Sequence, residues 1–207
     1  MPVVTSPKAW ARTAGAIYLA VIVLGAFAIG FAPSPETNES LYRLSLASHA
    51  AVLALNMFLV AIFYYLFLPV SRIGALMVVL FSILATAVEG AGLANELGAY
   101  SASQVHAAYV IQQVIFACYN IVAGYLIFRS TFWPRVVGIL LVIGGLSYLF
   151  YSFCDILSPS FAAHLVPWVQ LPSGVGEISF SLALLIAGVN VRRWNELREL
   201  AGAPDLL

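Results

Sequence analysis

Six predominantly apolar stretches, each long enough to cross a bilayer, occupy this chain almost from end to end: residues 13–32, 46–68, 73–97, 105–128, 136–157 and 171–191. A helix needs ~20 apolar residues to cross the hydrocarbon core. Strand spans would be shorter and would alternate in polarity. These runs are continuous, so each is read as a helix. Composition excludes the soluble alternative. Of 207 residues, 62% are hydrophobic and 9% are charged, against about 25% charged in soluble domains. So few polar residues cannot cover a water-facing surface, and lipid is the apolar medium that can face the remainder. The expected fold is an all-α, six-transmembrane-helix bundle. It forms a single membrane domain over residues 1–207, with 192–207 as a short polar cytoplasmic tail. The net charge is zero, so no basic field favours nucleic acid, and no Lys/Arg run forms a polybasic lipid patch. Cys118 and Cys154 fall inside apolar runs and read as small buried hydrophobes, not a disulfide.

Charge sets the expected orientation. Lys8, Arg12, Arg72, Arg129, Arg135, Arg192, Arg193 and Arg198 fall on the side that holds the N-terminus, and Arg43 alone falls on the other. Loop Lys/Arg bias marks the cytoplasmic side. The chain is therefore read as a multi-pass protein of the cell (plasma or inner) membrane, with both termini cytoplasmic. One helix more or fewer would scatter the bias. The basic start, apolar run and small residues before Pro33 also suit a signal peptide, whose removal would leave five spans. The run is long for such a segment, so span one is read as retained. The two longer connections, 33–45 and 158–170, are expected outside. Trp10, Trp133, Trp168 and Trp194 fall near span ends, as in the aromatic belts of membrane interfaces.

The polar residues inside the spans carry the functional information, because polar groups at membrane depth are costly and usually face the bundle interior or a wet cavity. Residues three, four or seven apart share a helix face. On that rule Ser45, Ser48, His49 and Asn56 share one face of span two, and Ser82, Thr86 and Glu89 one face of span three. Span four carries His106, Tyr109, Gln113 and Asn120. Span five carries Ser147, Tyr151 and Asp155, and span six carries Ser173, Glu177 and Ser181. Five polar stripes predict a polar axis.

Depth refines that expectation. Glu89 lies ~12 Å below the outer end of span three and Glu177 ~9 Å below that of span six, at 1.5 Å per residue. His49 and Gln113 fall at similar depth. Asp155 and His106 sit nearer the mouth, and Asn56 and Asn120 nearer the middle. Aliphatic residues such as Leu59, Val60, Val79, Val122, Val142 and Leu185 are expected to seal the inner half. The result would be a closed-bottom pocket in the outer half, not a continuous pore. A mid-membrane carboxylate costs about 2.5–3.5 kcal/mol on insertion scales. Glu89 and Glu177 are therefore expected to share a proton, pair with a cation or hold a metal. Arg43, the lone external basic residue, is their expected internal partner. The plainer reading of the two glutamates is interhelical hydrogen bonding. His49 by itself reads as a packing or hydrogen-bonding residue, and so do Tyr109 and Tyr151. Gly90, Gly92, Gly144 and Gly145 read as sites of close helix contact.

Several of these stretches resemble a known family. The run GYLIFRSTFWPRVVGILLVIGG, residues 124–145, and the run PSGVGEISFSLALLIAGVNV, residues 172–191, are similar to segments of the prokaryotic integral-membrane domain-of-unknown-function family 4386. LYRLSLAS, residues 41–48, and a third span with an embedded glutamate fit the same family. The resemblance extends from Arg12 to Val191. It implies a small multi-pass membrane protein with no assigned activity. It also implies that Arg129, Ser130, Pro134 and Arg135 form the inner turn between spans four and five. Gly176 and Glu177 would match the family's Gly-Glu pair, and Glu89 its glutamate in span three. The family pattern often carries acidic residues near His49 and Asn56 and a histidine near Asn120. This chain departs there, so a fixed ligand set does not carry over.

Three functional classes and one non-functional one follow. The first is a membrane-embedded enzyme acting by acid/base chemistry on a lipid or isoprenoid-like substrate. Glu89 would be the acid/base, Glu177 its partner and His49 the orienting or relaying group, in a pocket with Asn56, Gln113, Asn120, Tyr151, Asp155 and Arg43. The second is a binding or transport protein for a small amphiphile or cation, although neither an internal repeat nor a broken helix is legible. The third is a metal site from His49, Glu89, Asp155 and Glu177, a donor mixture suited to zinc, iron or manganese but set in none of the usual motifs. The fourth is an accessory membrane protein without chemistry. Membrane lipid and a small amphiphilic ligand are the expected partners, and no feature calls for a cofactor.

Overall fold

The computed structural model describes residues 6–31, 36–98 and 101–202, and within them it contains helices and turns but no strand. The helices are α1 (Pro7–Gly25), α2 (Glu39–Phe67), α3 (Arg72–Leu97), α4 (Ala102–Arg129), α5 (Arg135–Leu157), α6 (Pro159–Leu165), α7 (Leu171–Leu182) and α8 (Val191–Leu200). A π-helical turn, Ala26–Phe31, prolongs α1, and another, Ala183–Ala187, prolongs α7. Six of these helical units are long and apolar enough to cross a membrane: Pro7–Ala28, Glu39–Phe67, Arg72–Leu97, Ala102–Arg129, Arg135–Leu157 and Trp168–Ala187. The chain is thus an all-helical, six-span bundle. Pro33 and Pro35, read from sequence as the stop of span one, lie outside the described residues, as does the tail beyond Gly202.

Local chemistry sets the helix starts. Ser6, Asn38, Ser71 and Asn190 cap α1, α2, α3 and α8 by accepting a hydrogen bond from a first-turn backbone N–H, which satisfies a donor the helix itself cannot. Pro7 and Pro159 occupy first turns, where a missing N–H costs nothing. The outside of the bundle is apolar. Phe58, Leu80, Ile111, Phe150 and Ile186 are all more than half exposed, a belt that only lipid can cover without penalty.

Three differences from the sequence expectation matter. Helix α2 begins seven residues before position 46, at Glu39, because the Asn38 cap and the Glu39–Arg43 pair, 2.8 Å apart, support extra turns beyond the apolar run. The predicted tail is instead the helix α8, whose Trp194 is buried and donates its indole N–H to Leu66 O at 3.2 Å. Trp133 is buried as well and donates to Gly188 O at 2.8 Å. These two tryptophans therefore leave the expected interfacial belt, because each indole N–H finds a carbonyl freed near a helix end. Trp168 stays 72% exposed.

Both ends of the chain meet one face of the bundle. The Arg12 guanidinium donates to Ile186 O at 3.2 Å, and that of Arg72 donates to Gly202 O at 3.1 Å. The turns before α3 and α5 join them there, with Asn190 N bonded to Phe132 O at 3.4 Å. This is the basic face of the molecule.

Glycines let the helices approach. A Cβ on Gly124 would lie 2.6 Å from Gly138 O, and one on Gly145 would lie 2.8 Å from Ala117 O, so α4 and α5 touch backbone to backbone. Across the α5–α7 contact, a Cβ on Gly144 would lie 2.7 Å from Ser173 Cα, and one on Gly176 2.8 Å from Leu140 O. Gly15 of α1 sits against the backbone of Ser181 and Leu185. Gly144 and Gly145 therefore play the role read from sequence. A Cβ on Gly92 would lie 3.2 Å from Ala108 Cβ, and one on Gly90 would make only an ordinary contact with Leu53 at 3.5 Å.

The consequence is testable in detergent. Gly138→Val should destabilise the bundle by about 1–3 kcal/mol, the usual cost of overpacking, because a side chain there meets backbone that cannot yield. Gly174→Ala, with open space around its Cβ, should unfold within about 0.5 kcal/mol of the native chain. Equal thermal or denaturant midpoints for the two variants would contradict the packing described.

Candidate functional site

The polar stripes of α2, α3, α4 and α7 turn inward and meet. Between them lies a chamber of about 260 Å³, lined by Asn56 of α2, Ser82, Thr86 and Glu89 of α3, Tyr109, Gln112 and Gln113 of α4, and Glu177 of α7. Glu89 is a turn or two from the end of α3 and Glu177 a similar distance from the start of α7, so the chamber occupies the half of the bundle remote from the basic face. Lipid supplies no hydrogen bonds, so side chains of this kind lower their energy by facing one another.

Glu89 is 13% exposed and pairs with His49 of α2, its Oε1 3.0 Å from Nε2, while the histidine is 12% exposed. The two helices thereby share one hydrogen-bonded acid–base couple. Glu177 accepts a hydrogen bond from Ser173 Oγ, one turn earlier on α7, at 2.8 Å. Tyr18 and Asn120 come close enough to Glu177 to interact with it. Yet neither the Tyr18 hydroxyl nor either polar atom of the Asn120 side chain completes a hydrogen bond with the protein. Both residues are buried, Asn120 completely. Gln113 is held at both ends: its Nε2 donates to Tyr109 Oη at 3.3 Å and its Oε1 accepts from Ser152 Oγ at 3.1 Å. The Ser152 bond links α4 to α5 beside the chamber, and the Tyr109 bond stays within α4.

The other residues read from sequence go elsewhere. Asp155 is buried and bonds His106 across α4 and α5, 2.8 Å from Nε2, with the imidazole 58% exposed. Tyr151 packs one turn from Asp155, and neither residue lines the chamber. The four-residue metal set is not assembled: His49 and Glu89 form one pair and His106 and Asp155 another. Among the described residues no three His, Cys, Asp or Glu side chains converge on a common point. Arg43 is also misplaced by the sequence reading. It is 74% exposed and pairs with Glu39 at 2.8 Å, since a partner one turn away on the same helix is reached without entering the bundle. Neither chamber glutamate has an arginine or lysine partner among the described residues.

Sequence reasoning missed the aromatic lining. Tyr18, Phe63, Phe116, Tyr119 and Tyr148 face the chamber together with Tyr109. The spacing of positions 109, 113, 116 and 120 already placed a continuous stripe on α4, and Tyr119 extends it. Tyr18 carried a weaker signal, a lone hydroxyl in a wholly apolar stretch of α1. The seal toward the basic face adds aromatic rings to the aliphatic residues: Leu59, Ile62, Leu66, Leu126, Leu141 and Leu184 are buried in the same core as Phe63, Phe67, Trp133 and Phe180. Phe63 stacks on Phe180 at 5.5 Å, Phe67 meets Trp133 at 5.4 Å, and Trp133 meets Phe180 at 5.7 Å. Flat rings from α2, α7 and the turn before α5 pack against one another in this converging space. Val60 is buried as well.

With this geometry in place, the comparisons are brief. The family model described as "Domain of unknown function (DUF4386)" matches residues 13–188. The chain belongs to the DUF4386 family. The match runs from within α1 to Gly188, the glycine at φ +68° that ends the second π turn, so it takes in every wall of the chamber. No curated protein and no solved structure matches the chain. Within this DUF4386 chain the helix-three glutamate and the Gly176-Glu177 pair are the residues that place carboxylates in the chamber.

The His49–Glu89 couple should be worth measurable stability. Glu89→Ala, which leaves a half-buried imidazole unpartnered, should cost about 1–3 kcal/mol. Glu89→Gln, which keeps an acceptor for His49, should cost under half as much in the same denaturation assay. An unchanged midpoint in Glu89→Ala would show that the pair makes no net contribution.

Proposed function

We propose that this DUF4386 protein is a membrane-embedded enzyme that holds a small lipid-derived or isoprenoid-like molecule in the chamber and acts on it by acid/base chemistry. The observation that carries this reading is the His49–Glu89 couple. It sets a carboxyl on the wall of a largely apolar chamber with an imidazole behind it at hydrogen-bonding distance, an arrangement that suits general acid–base catalysis. Glu89 is the proton donor or acceptor, His49 orients it and shuttles the proton, and Glu177 is the second acidic group. Asn56, Gln113 and Asn120 position the ligand. The small volume suits a compact head group or a short chain, since drug-sized pockets run to about 300–1,000 Å³. The aromatic block between the chamber and the basic face weighs against transport, which would need a path through it.

The basic face is cytoplasmic in this reading, which puts the chamber in the outer half of the plasma or inner membrane. Reporter fusions after Gly202 should behave as cytoplasmic ones, and a fusion in the connection between α3 and α4 should behave as external. The opposite pattern reverses the assignment.

Catalysis is testable without knowing the substrate. Native membrane lipid extract incubated with the purified protein should yield a product resolved by mass spectrometry. Glu89→Gln should slow its formation by roughly 10²–10⁴-fold, the usual contribution of a positioned acid or base. Turnover undiminished in Glu89→Gln would remove Glu89 from the chemistry.

A further inference from the structure

We infer that the chamber's ligand is a small organic cation, an amphiphile whose protonated amine or ammonium head sits beside Glu177. The inference deepens the reading above, because it rests on the chamber being a ligand site and names what the site takes. Charge is the first argument. The chamber walls carry two carboxyl side chains and no lysine or arginine. Glu89 has His49 as a counterpart at 3.0 Å. Glu177 accepts from the Ser173 hydroxyl at 2.8 Å, and no basic side chain among the described residues pairs with its carboxyl. A buried carboxylate without a counter-charge is expensive, and a cationic ligand supplies the missing charge. An anionic ligand would meet two acids.

The aromatic walls are the second argument. Tyr18, Phe63, Tyr109, Phe116, Tyr119 and Tyr148 surround the same space. Phe116 stacks on Tyr119 with centroids 5.2 Å apart and tilts against Tyr148 at 6.3 Å. Ring faces attract organic cations, and desolvated sites of this composition are the usual recognition device for ammonium groups. A bare metal ion would instead want converging oxygen ligands, and no three acidic or imidazole groups converge.

The third argument is independent of the acids. The Tyr18 hydroxyl and the Asn120 side chain are buried beside Glu177 without a hydrogen-bond partner. Buried polar atoms are rarely left so. Tyr18, which lines the chamber, offers its hydroxyl oxygen as a further acceptor to an ammonium group directed at Glu177.

The test uses the full chain in zwitterionic nanodiscs and a matched pair of probes, hexylamine at neutral pH and hexan-1-ol, with binding read calorimetrically and by thermal shift. Hexylamine should bind at least tenfold more tightly than the alcohol. Glu177→Gln should abolish that preference while changing the alcohol's affinity by less than twofold, and Tyr148→Leu should weaken amine binding several-fold. If Glu177→Gln does not fold, the preference of the native chain and the Tyr148→Leu variant still decide the matter. Equal binding of the two probes overturns the cation assignment but leaves a ligand chamber, and the enzyme reading, standing. No amine binding at millimolar concentration also overturns it. No product from lipid extract, with hexylamine still bound in preference to the alcohol, would remove the enzyme reading and leave a cation-binding chamber intact.

Discussion

Lipid cannot satisfy a hydrogen bond, and much of this structure follows from that constraint. A glutamate, a histidine or an asparagine on a spanning helix must find its partner within the protein or be left unpaired. Here His49 finds Glu89, His106 finds Asp155 and Gln113 finds Ser152, each pair joining two helices. The residues that need partners therefore decide which helix faces meet, and the chamber lies where those faces converge around Glu89 and Glu177.

Close packing carries the other half of the organisation. The helix α5 lies between α4 and α7 with almost no side chain separating their backbones, because Gly124, Gly138, Gly144, Gly145 and Gly176 occupy the contacts. Van der Waals attraction holds helices together in lipid, where burial of apolar surface contributes little. The rigid wall so formed presents Gln113, Tyr119, Tyr148 and Glu177 at fixed positions. The opposite wall, α1 to α3, is held by the His49–Glu89 couple and by the ring of Tyr18 lying edge-on to Phe63. The chamber is thus bounded by a glycine-packed side and a hydrogen-bonded side. The aromatic block around Phe180 closes it toward the basic face.

The two histidine–carboxylate couples differ in setting, and the difference bears on function. His106 is mostly exposed and its aspartate is buried, so that pair is solvated at one end and staples α4 to α5 near their ends. His49 and Glu89 are both nearly buried, and only Glu89 faces the enclosed space. In the acid/base reading proposed above, the chemistry belongs with the second pair. The first is a structural link with a wet edge.

Much of the fold was legible in the one-dimensional pattern. Apolar runs of bilayer length, separated by proline, arginine and short polar turns, dictate six spans. The three- and four-residue spacing of Glu89 with Thr86 and Ser82, and of Glu177 with Ser173 and Ser181, assigns the inward faces. The family resemblance pointed to the same glutamates. What the chain could not disclose was which polar stripe meets which. Asp155 looks able to join the pocket beside Glu89 and Glu177, and Arg43 looks like a natural counter-ion, until helix packing sends Asp155 to His106 and leaves Arg43 with Glu39. Tyrosine and phenylalanine read as filler until their rings are seen to line a space. Spacing along a helix is a local property and is written in the sequence. Pairing between helices depends on rotation, depth and the close contacts that glycine permits, and only the assembled bundle decides those.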